Sequence, residues 1–354
     1  METVSDIQTK TTNSSRLKEV DWKHLEFGKI ISDHMLVCVH ENGEWGQPQI
    51  LPYGDLQLSP ATLALHYGQS IFEGMKAFYT TNDAINIFRI EQHHKRLNRS
   101  LQRMCMPEVP RDLFIDGLHQ LIHLDRDWVP KEDGSSLYIR PFVFASEARF
   151  GVKVSDKYHF IVFSGPVPPL YQKPIKVKVE REYIRAAKGG TGFAKCAGNY
   201  GGAFYPTQLA REEGYDQVLW TDAKENEFIE ESGTMNVMFV INGKLVTPPL
   251  SDSILDGITR DSLLDIAKYL RIPVQERQVG ATELKYAFKN KIITEAFGAG
   301  TAAVVAPISV IGIDGEDYQL PAYNDNAVMF QLKNQLDAIR CGKKEDNFNW
   351  NYLI

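Results

Sequence analysis

Cysteine is scarce in this sequence, and what there is lies scattered. Cys38, Cys105, Cys196 and Cys341 form no C-x-x-C pair and no metal-ligand spacing, which excludes a disulfide scaffold and a zinc module as organisers of the fold. Reduced thiols in a cytosolic (cytoplasmic) protein are the expectation. Long apolar runs are missing too. The longest candidate, TAAVVAPISVIGI, is interrupted by Pro307 and falls short of the roughly 20 residues of a membrane span, so it is expected to be a core strand and no membrane association is expected. Positive charge is not in excess: 39 Lys and Arg against 45 Asp and Glu leave a formal net charge of −6, which argues against a nucleic-acid surface. No internal repeat and no low-complexity segment is visible. METVSDIQTKTTNSSRLK, residues 1–18, lacks the apolar core of a secretory signal and fits a mitochondrial presequence poorly; it is expected to be a disordered tail.

A length of 354 residues exceeds what one hydrophobic core usually organises, so two domains are expected. The contents of 43% hydrophobic and 24% charged residues are those of a soluble globular protein. The stretches LYIRPFVFA and HFIVFSGP are short and β-rich, and PVPPLYQKP, with proline at 166, 168, 169 and 174, is a linker more easily than a strand or helix. The expected division is an N-terminal α/β domain over residues 19–166, a Pro-rich loop over 167–176, a larger domain over 177–342 and a C-terminal tail over 343–354. Within the second domain IKVKVE alternates as a half-exposed strand should, Asn242-Gly243 marks a tight hairpin, and SLLDIAKYL has helical spacing.

The chemistry centres on Lys195 in GGTGFAKCAGNYGGAF and on an acid downstream in FIEESGTMNVMF. An imine-forming lysine must shed its charge, which calls for a desolvated or cation-rich pocket. Glycines let the backbone pass close to a ring, and Tyr200 offers a phenol nearby. A carboxylate could keep a heterocyclic nitrogen protonated, so lysine and acid together suit a Schiff base with pyridoxal 5′-phosphate. Glu230 and Glu231 should point to opposite faces of a strand, leaving one for the ring. GGTGFAKC is no P-loop: no glycine directly precedes the lysine, and Cys196 stands where a Ser or Thr is needed. In DGITRDSLL, Gly257, Ile258 and Thr259 open a helix whose first N–H groups suit a phosphate. Arg96, Arg99 and Arg103 form a basic stripe at helical spacing. His119 and His123 have metal-ligand spacing, but Gln120 stands where a zinc protease needs its glutamate, so no metal is expected.

Eight blocks, those around Lys195, Glu231 and Thr259 among them, stand in a fixed order: GQPQI, LHYGQSIFEGMKAF, IFRIEQHHKRLNRS, SLYIRPFVF, GGTGFAKCAGNY, EESGTMN, LVTPPLSDSILDGITRDSLL and EAFGAGTAA. Through them the chain resembles the branched-chain amino acid aminotransferases among the class IV, fold type IV pyridoxal-phosphate enzymes. The resemblance implies a mixed α/β (α+β), D-amino acid aminotransferase-like fold of two domains with the active site between them. It selects Glu231 for the pyridinium nitrogen and leaves Glu230 as a solvated neighbour. It assigns Lys195 as the catalytic base, Tyr200 as a cofactor contact, and Arg96, Ile258, Thr259 and Thr301 as phosphate contacts. Phe27, Tyr67, Phe72 and Tyr138 become a substrate wall, Arg140 the partner of a distal carboxylate, and Thr234, Thr301 and Ala302 neighbours of the substrate carboxylate. Phe150 and Val152 would sit on a loop reaching into a homodimer partner's site. The implied reaction moves the amino group of L-leucine, L-isoleucine or L-valine to 2-oxoglutarate, giving the branched 2-oxo acid and L-glutamate by ping-pong kinetics. A D-amino acid aminotransferase or an aminodeoxychorismate lyase would share lysine and acid, but GMKAF, SLYIRP and SGTMN favour the branched-chain group. A non-catalytic cofactor-binding protein is the reading from another class.

Overall fold

The computed structural model describes residues 7–170 and 173–354, and the chain divides into two compact units. One comprises Met1–Leu170, Ala194–Gly198 and Ile339–Ile354; the other comprises Tyr171–Phe193 and Asn199–Ala338. The segment bearing Lys195 and the C-terminal segment therefore both belong to the first unit. Tyr171 and Gln172 of the Pro-rich loop lie outside the described residues. The strand Tyr158–Val167 takes the first residue of that loop, and the strand Ile175–Val179 its last two.

The described residues of the first unit build a ten-stranded sheet. Its centre is the antiparallel pair Ser136–Ala145 and Tyr158–Val167, both rich in β-branched and aromatic residues. Pro141 has no N–H for a ladder, and it falls where its strand changes partners. Leu137 to Ile139 face Met75–Tyr79, whereas Phe142 to Phe144 face Ser70–Phe72. Glu73 and Gly74 occupy the break between those two partner strands. The helix Ile90–Arg103 buries Ile90, His93, His94, Arg96, Leu97, Ser100 and Leu101, which share one face at helical spacing. Arg96 is on that buried face, while Arg99 and Arg103 stand on the exposed one.

Among the described residues, the segments near both termini are more ordered than their composition suggests. The strand Gln8–Thr9 pairs with Gln49–Pro52, and Thr12 N–H donates to the buried His34 imidazole at 3.1 Å. The expected disordered tail is thus tied down within its described part. At the other end Asn351–Leu353 pairs with Ile85–Phe88. Asn86, fully buried, donates to Arg340 O and Asn351 Oδ1, so the expected tail is an edge strand stitched by one amide side chain.

The described residues of the second unit form a nine-stranded sheet. Ile229–Ser232, Gln217–Thr221, Ile175–Val179, Val304–Ile313, Ile293–Gly300 and Met235–Ile241 follow one another, and the first also pairs with the last, closing a ring. Closure leaves no open edge along these strands and buries every residue of Ile229–Ser232 and Met235–Ile241. Asn242 and Gly243, at φ of 51° and 70°, make the two-residue turn expected from sequence. Lys176 and Lys178 point away from the buried Val177 and Val179, giving the expected alternation. The apolar run broken by Pro307 is the core strand Val304–Ile313.

Candidate active site

In the first unit Lys195 is held by its backbone. Its N–H donates to Ser100 Oγ at 2.9 Å, and its C=O accepts from Phe72 N–H at 3.0 Å. Ala197 N–H donates to Ser70 O, so residues 195–197 lie along Ser70–Phe72 like a short added strand. Ala194 and Cys196 are buried on either side, which fixes the direction of the half-buried lysine side chain. Lys195 Nζ lies 4.7 Å from the Phe72 ring centroid. The same ring carries the Arg140 guanidinium at 4.8 Å, and Arg140 also lies 5.3 Å from the Tyr138 ring and donates to its hydroxyl at 3.3 Å. Phe27 packs edge-on against Tyr138, centroids 5.1 Å apart. Gly74 is required here, because a Cβ would collide with the Tyr138 hydroxyl. Phe27, Phe72, Tyr138, Arg140 and Lys195 thus form one chain of contacts.

Arg96 reaches this region from the buried face of its helix. Ser100, one turn on, donates to Arg96 O at 3.0 Å while accepting from Lys195, so one helix positions both residues. The Arg96 Nε and Nη2 groups donate to the two oxygens of Glu73 at 2.7 and 2.8 Å, and His93 Nδ1 donates to Glu73 at 2.8 Å. Burial alone would push the Glu73 carboxyl up, but Arg96 and His93 outweigh it and hold it well below the usual carboxylate range. His93 is pushed down by burial, more than the attraction of Glu73 restores.

In the second unit Glu231 is buried and heavily engaged. Leu255 N–H donates to Glu231 Oε1 at 2.8 Å, Asn236 Nδ2 approaches the same oxygen at 3.4 Å, and Arg185 Nε lies 2.9 Å from Oε2. The last is an ion pair by distance whose N–H is not aligned on the oxygen. Arg185 Nη2 also donates to the carbonyls of Gly192 and Ser253. Glu230 is not the solvated neighbour expected: it is 8% exposed and accepts from Ser253 Oγ. The closed ring of strands covers both faces here, so alternation sends neither acid to solvent. Burial pushes the Glu230 carboxyl up, against the effects of Ser253 and Arg185.

The phosphate-type elements stand next to Glu231 in this unit. Asn236 also donates to Leu255 O at 2.9 Å, stitching the acid to the loop that enters the helix Ile258–Tyr269. A Cβ at Gly257, the N-cap, would collide with the Asn236 side chain. Ile258 and Thr259, both buried, open the helix, where N–H groups are not used by the helical ladder. Thr234 is exposed at the two-residue turn between Ile229–Ser232 and Met235–Ile241; Gly233, at φ 57°, has no room for a side chain there. Thr301 and Ala302 form the tip joining Ile293–Gly300 to Val304–Ile313, and the pairing of Asn236 with Ala299 brings that tip beside the Thr234 turn. Tyr200 is half-buried in the short helix Gly198–Gly201. Thr191 and Asn199 exchange two hydrogen bonds at 2.7 and 2.9 Å, pinching the base of the loop that carries Lys195.

Tyr67, 45% exposed, and Phe150 and Val152, 102% and 82% exposed, are not joined to the contact chain around Lys195. Sequence reasoning missed Glu73, Ser100, Arg185 and Asn236. A signal existed for Glu73: an acid inside the apolar run SIFEGMKAF cannot be buried without a cationic partner.

Comparison with known proteins fits this geometry. The profile of the amino-transferase class IV family matches residues 70–311. Branched-chain-amino-acid transaminase 1 of Bacillus subtilis is 44% identical over 335 residues, covering 93% of this chain and 94% of that protein. The crystal structure of the Escherichia coli branched-chain amino acid aminotransferase superposes with a TM-score of 0.73 at 27% identity, covering 90% of this chain and 98% of that one. The T.th. branched-chain amino acid aminotransferase, solved in complex with N-(5′-phosphopyridoxyl)-L-glutamate, gives 0.70 at 26% identity, covering 89% and 97%. Identity of this level across nearly the whole length leaves no room for a different fold or chemistry class, and the chain belongs to the class IV aminotransferases, in the branched-chain amino acid group.

Proposed function

We propose that the protein uses pyridoxal 5′-phosphate to transfer the amino group of L-leucine, L-isoleucine or L-valine to 2-oxoglutarate. The observation that carries this is Lys195, anchored at both backbone groups with its amine over Phe72. The donor set fits the cofactor part by part. By their chemistry Glu231 would hold a ring nitrogen, Tyr200 a ring hydroxyl, and Arg96, Ile258, Thr259 and Thr301 a phosphate, while Lys195 would bond the aldehyde carbon. When bound, the cofactor supplies a carbonyl that captures amines and a pyridinium that draws electrons from the substrate Cα.

The chain's own residues do the rest. Lys195 would hold the cofactor through Nζ and would release it to an incoming substrate amine. Its freed amine would then serve as the base that moves the substrate Cα proton. Glu231, 2.9 Å from Arg185 through Oε2, would be the group that keeps the ring nitrogen protonated. Phe27, Phe72 and Tyr138, already in one chain of contacts, would present an apolar wall to a branched side chain, with Tyr67 proposed to complete it. Arg140 has a buried Nε with no hydrogen-bond partner among the described residues, a donor suited to the distal carboxylate of glutamate or 2-oxoglutarate. Thr234, Thr301 and Ala302 receive the α-carboxylate. Both half-reactions use one site, so the kinetics are ping-pong. The protruding Phe150 and Val152 suit a homodimer in which this loop enters the partner's site. No helix among the described residues is long and apolar enough to cross a membrane, and the enzyme is proposed to work in the cytoplasm.

The test is to mix cofactor-loaded protein with L-leucine alone. About one equivalent of branched 2-oxo acid per site is expected, then no more until 2-oxoglutarate is added. Product from D-alanine but not from L-leucine would overturn the substrate assignment and keep the fold.

A further inference from the structure

We propose that Glu73 is a positioning residue for the cofactor phosphate, acting through Arg96; this rests on the reading of Arg96 as a phosphate contact. Glu73 is fully buried and touches no ligand in that reading, so its purpose lies in what it holds. Four protein groups converge on it. Arg96 Nε and Nη2 take its two oxygens at 2.7 and 2.8 Å, His93 Nδ1 donates to Oε2 at 2.8 Å, and Gly74 N–H approaches Oε2 at 3.2 Å. Its own N–H donates to Pro141 O at 2.7 Å. The carboxylate is therefore fixed in place and plane, and the two-point pair transfers that plane to the guanidinium. A guanidinium has five donors in a rigid fork. With the Nε edge committed to Glu73, the rest of the fork has one orientation, and a phosphate can be met without first ordering the arginine.

Charge alone argues the other way. Arg96 and Glu73 cancel, so replacing Glu73 by Gln leaves a net positive charge that would draw a phosphate dianion more strongly. If orientation dominates, the same change weakens phosphate binding; the opposite signs make the question decidable. Orientation is expected to dominate, since Arg96 is itself 6% exposed and a glutamine amide offers one acceptor where the carboxylate offered two, so the two-point hold on the guanidinium plane is lost.

The experiment titrates cofactor-free protein with pyridoxal 5′-phosphate and, separately, with pyridoxal, which lacks the phosphate. Glu73→Gln should raise the Kd for pyridoxal 5′-phosphate roughly 10- to 100-fold, by analogy with the loss on removing a buried partner that orients a metal-ligating side chain, and change the pyridoxal Kd by less than about threefold. Equal losses for both ligands, no loss, or tighter binding of the phosphorylated one would overturn the proposal. Because Glu73→Gln strands a buried guanidinium, the pair is also removed together. The Glu73→Gln, Arg96→Gln double variant should bind pyridoxal 5′-phosphate no worse than Arg96→Gln alone, and a further loss would overturn the proposal. The reading of Arg96 fails separately, if Arg96→Gln leaves the ratio of the two Kd values unchanged.

Discussion

Each unit of this protein buries a glutamate against an arginine, and the two pairs are built for opposite ends. In the first unit Glu73 meets Arg96 in a two-point pair with aligned hydrogen bonds, and His93 closes the remaining side of the acid. In the second unit Arg185 meets Glu231 by distance alone, with its Nη2 committed to the carbonyls of Gly192 and Ser253. In the proposed function the acid is the brace in one pair and the working group in the other. A buried pair of this kind costs desolvation that its attraction barely returns, so two of them in one chain point to ligand binding more than to stability. The contrast teaches that the alignment within a pair shows which member is fixed by the fold and which is kept for a ligand.

The largest effect removes what neither pair can replace. Lys195→Ala should abolish turnover, and substantial transamination by that variant would sink the assignment of the base. Next comes the working acid. Glu231→Gln should lower kcat by about 10²-fold or more, within the usual scale for a group that governs proton transfer, while pyridoxal 5′-phosphate stays bound. Glu73→Gln should do the reverse, with weaker cofactor binding and kcat at saturating cofactor nearly intact. If both variants shift the same parameter, the contrast between brace and working group collapses.

Stability separates the pairs again. Arg185→Met strands Glu231 in a buried site and should cost about 3–5 kcal/mol in urea unfolding, the scale for breaking a buried ion pair. Adding Glu231→Gln to that variant should recover most of the loss, because no charge then remains unpaired. A double variant as unstable as the single would mean that Arg185 matters through its bonds to Gly192 and Ser253 instead.

How much of this was legible in the sequence depends on the kind of signal. Lys195 stood out because glycine-rich chain around a single lysine is unusual, and the Asn242-Gly243 hairpin because positive φ at two adjacent positions selects those residues. The helix proposed to meet the phosphate was visible for its start, although it begins at Ile258, ahead of the SLLDIAKYL pattern. Partnerships were not visible. Ser100 reads as one more polar residue of an arginine-rich helix, yet it faces the core and carries the Lys195 backbone. Asn351–Leu353 is too short to show a period, and its pairing is fixed by Asn86, far away in sequence. Glu230 failed for a third reason: periodicity assumes a strand with one wet face, and the closed ring has none at Ile229–Ser232.

That same residue gives the smallest and most discriminating test, because Glu230 and Glu73 are both buried acids displaced in opposite directions. Glu73 is held low by an arginine and a histidine. Glu230 is pushed up by burial, with Glu231 adding repulsion, and its Oε2 has no hydrogen-bond partner among the described residues. A raised folded-state pKa means that the fold prefers the protonated acid. Its favourable contribution is therefore complete below the ordinary carboxyl value of 4.5 and is lost as pH rises through the folded-state value. Glu230→Gln keeps an acceptor for Ser253 and removes the buried charge, so it should raise stability near pH 7 by about 1 kcal/mol. The gain should shrink as the pH is lowered toward 4.5, where the wild-type acid becomes neutral in both states. Glu73→Gln must show the opposite pattern, a loss at pH 7 that narrows in acid as the wild-type carboxylate is itself protonated. Parallel pH profiles for the two variants would show that burial alone, and not the partner, governs these acids.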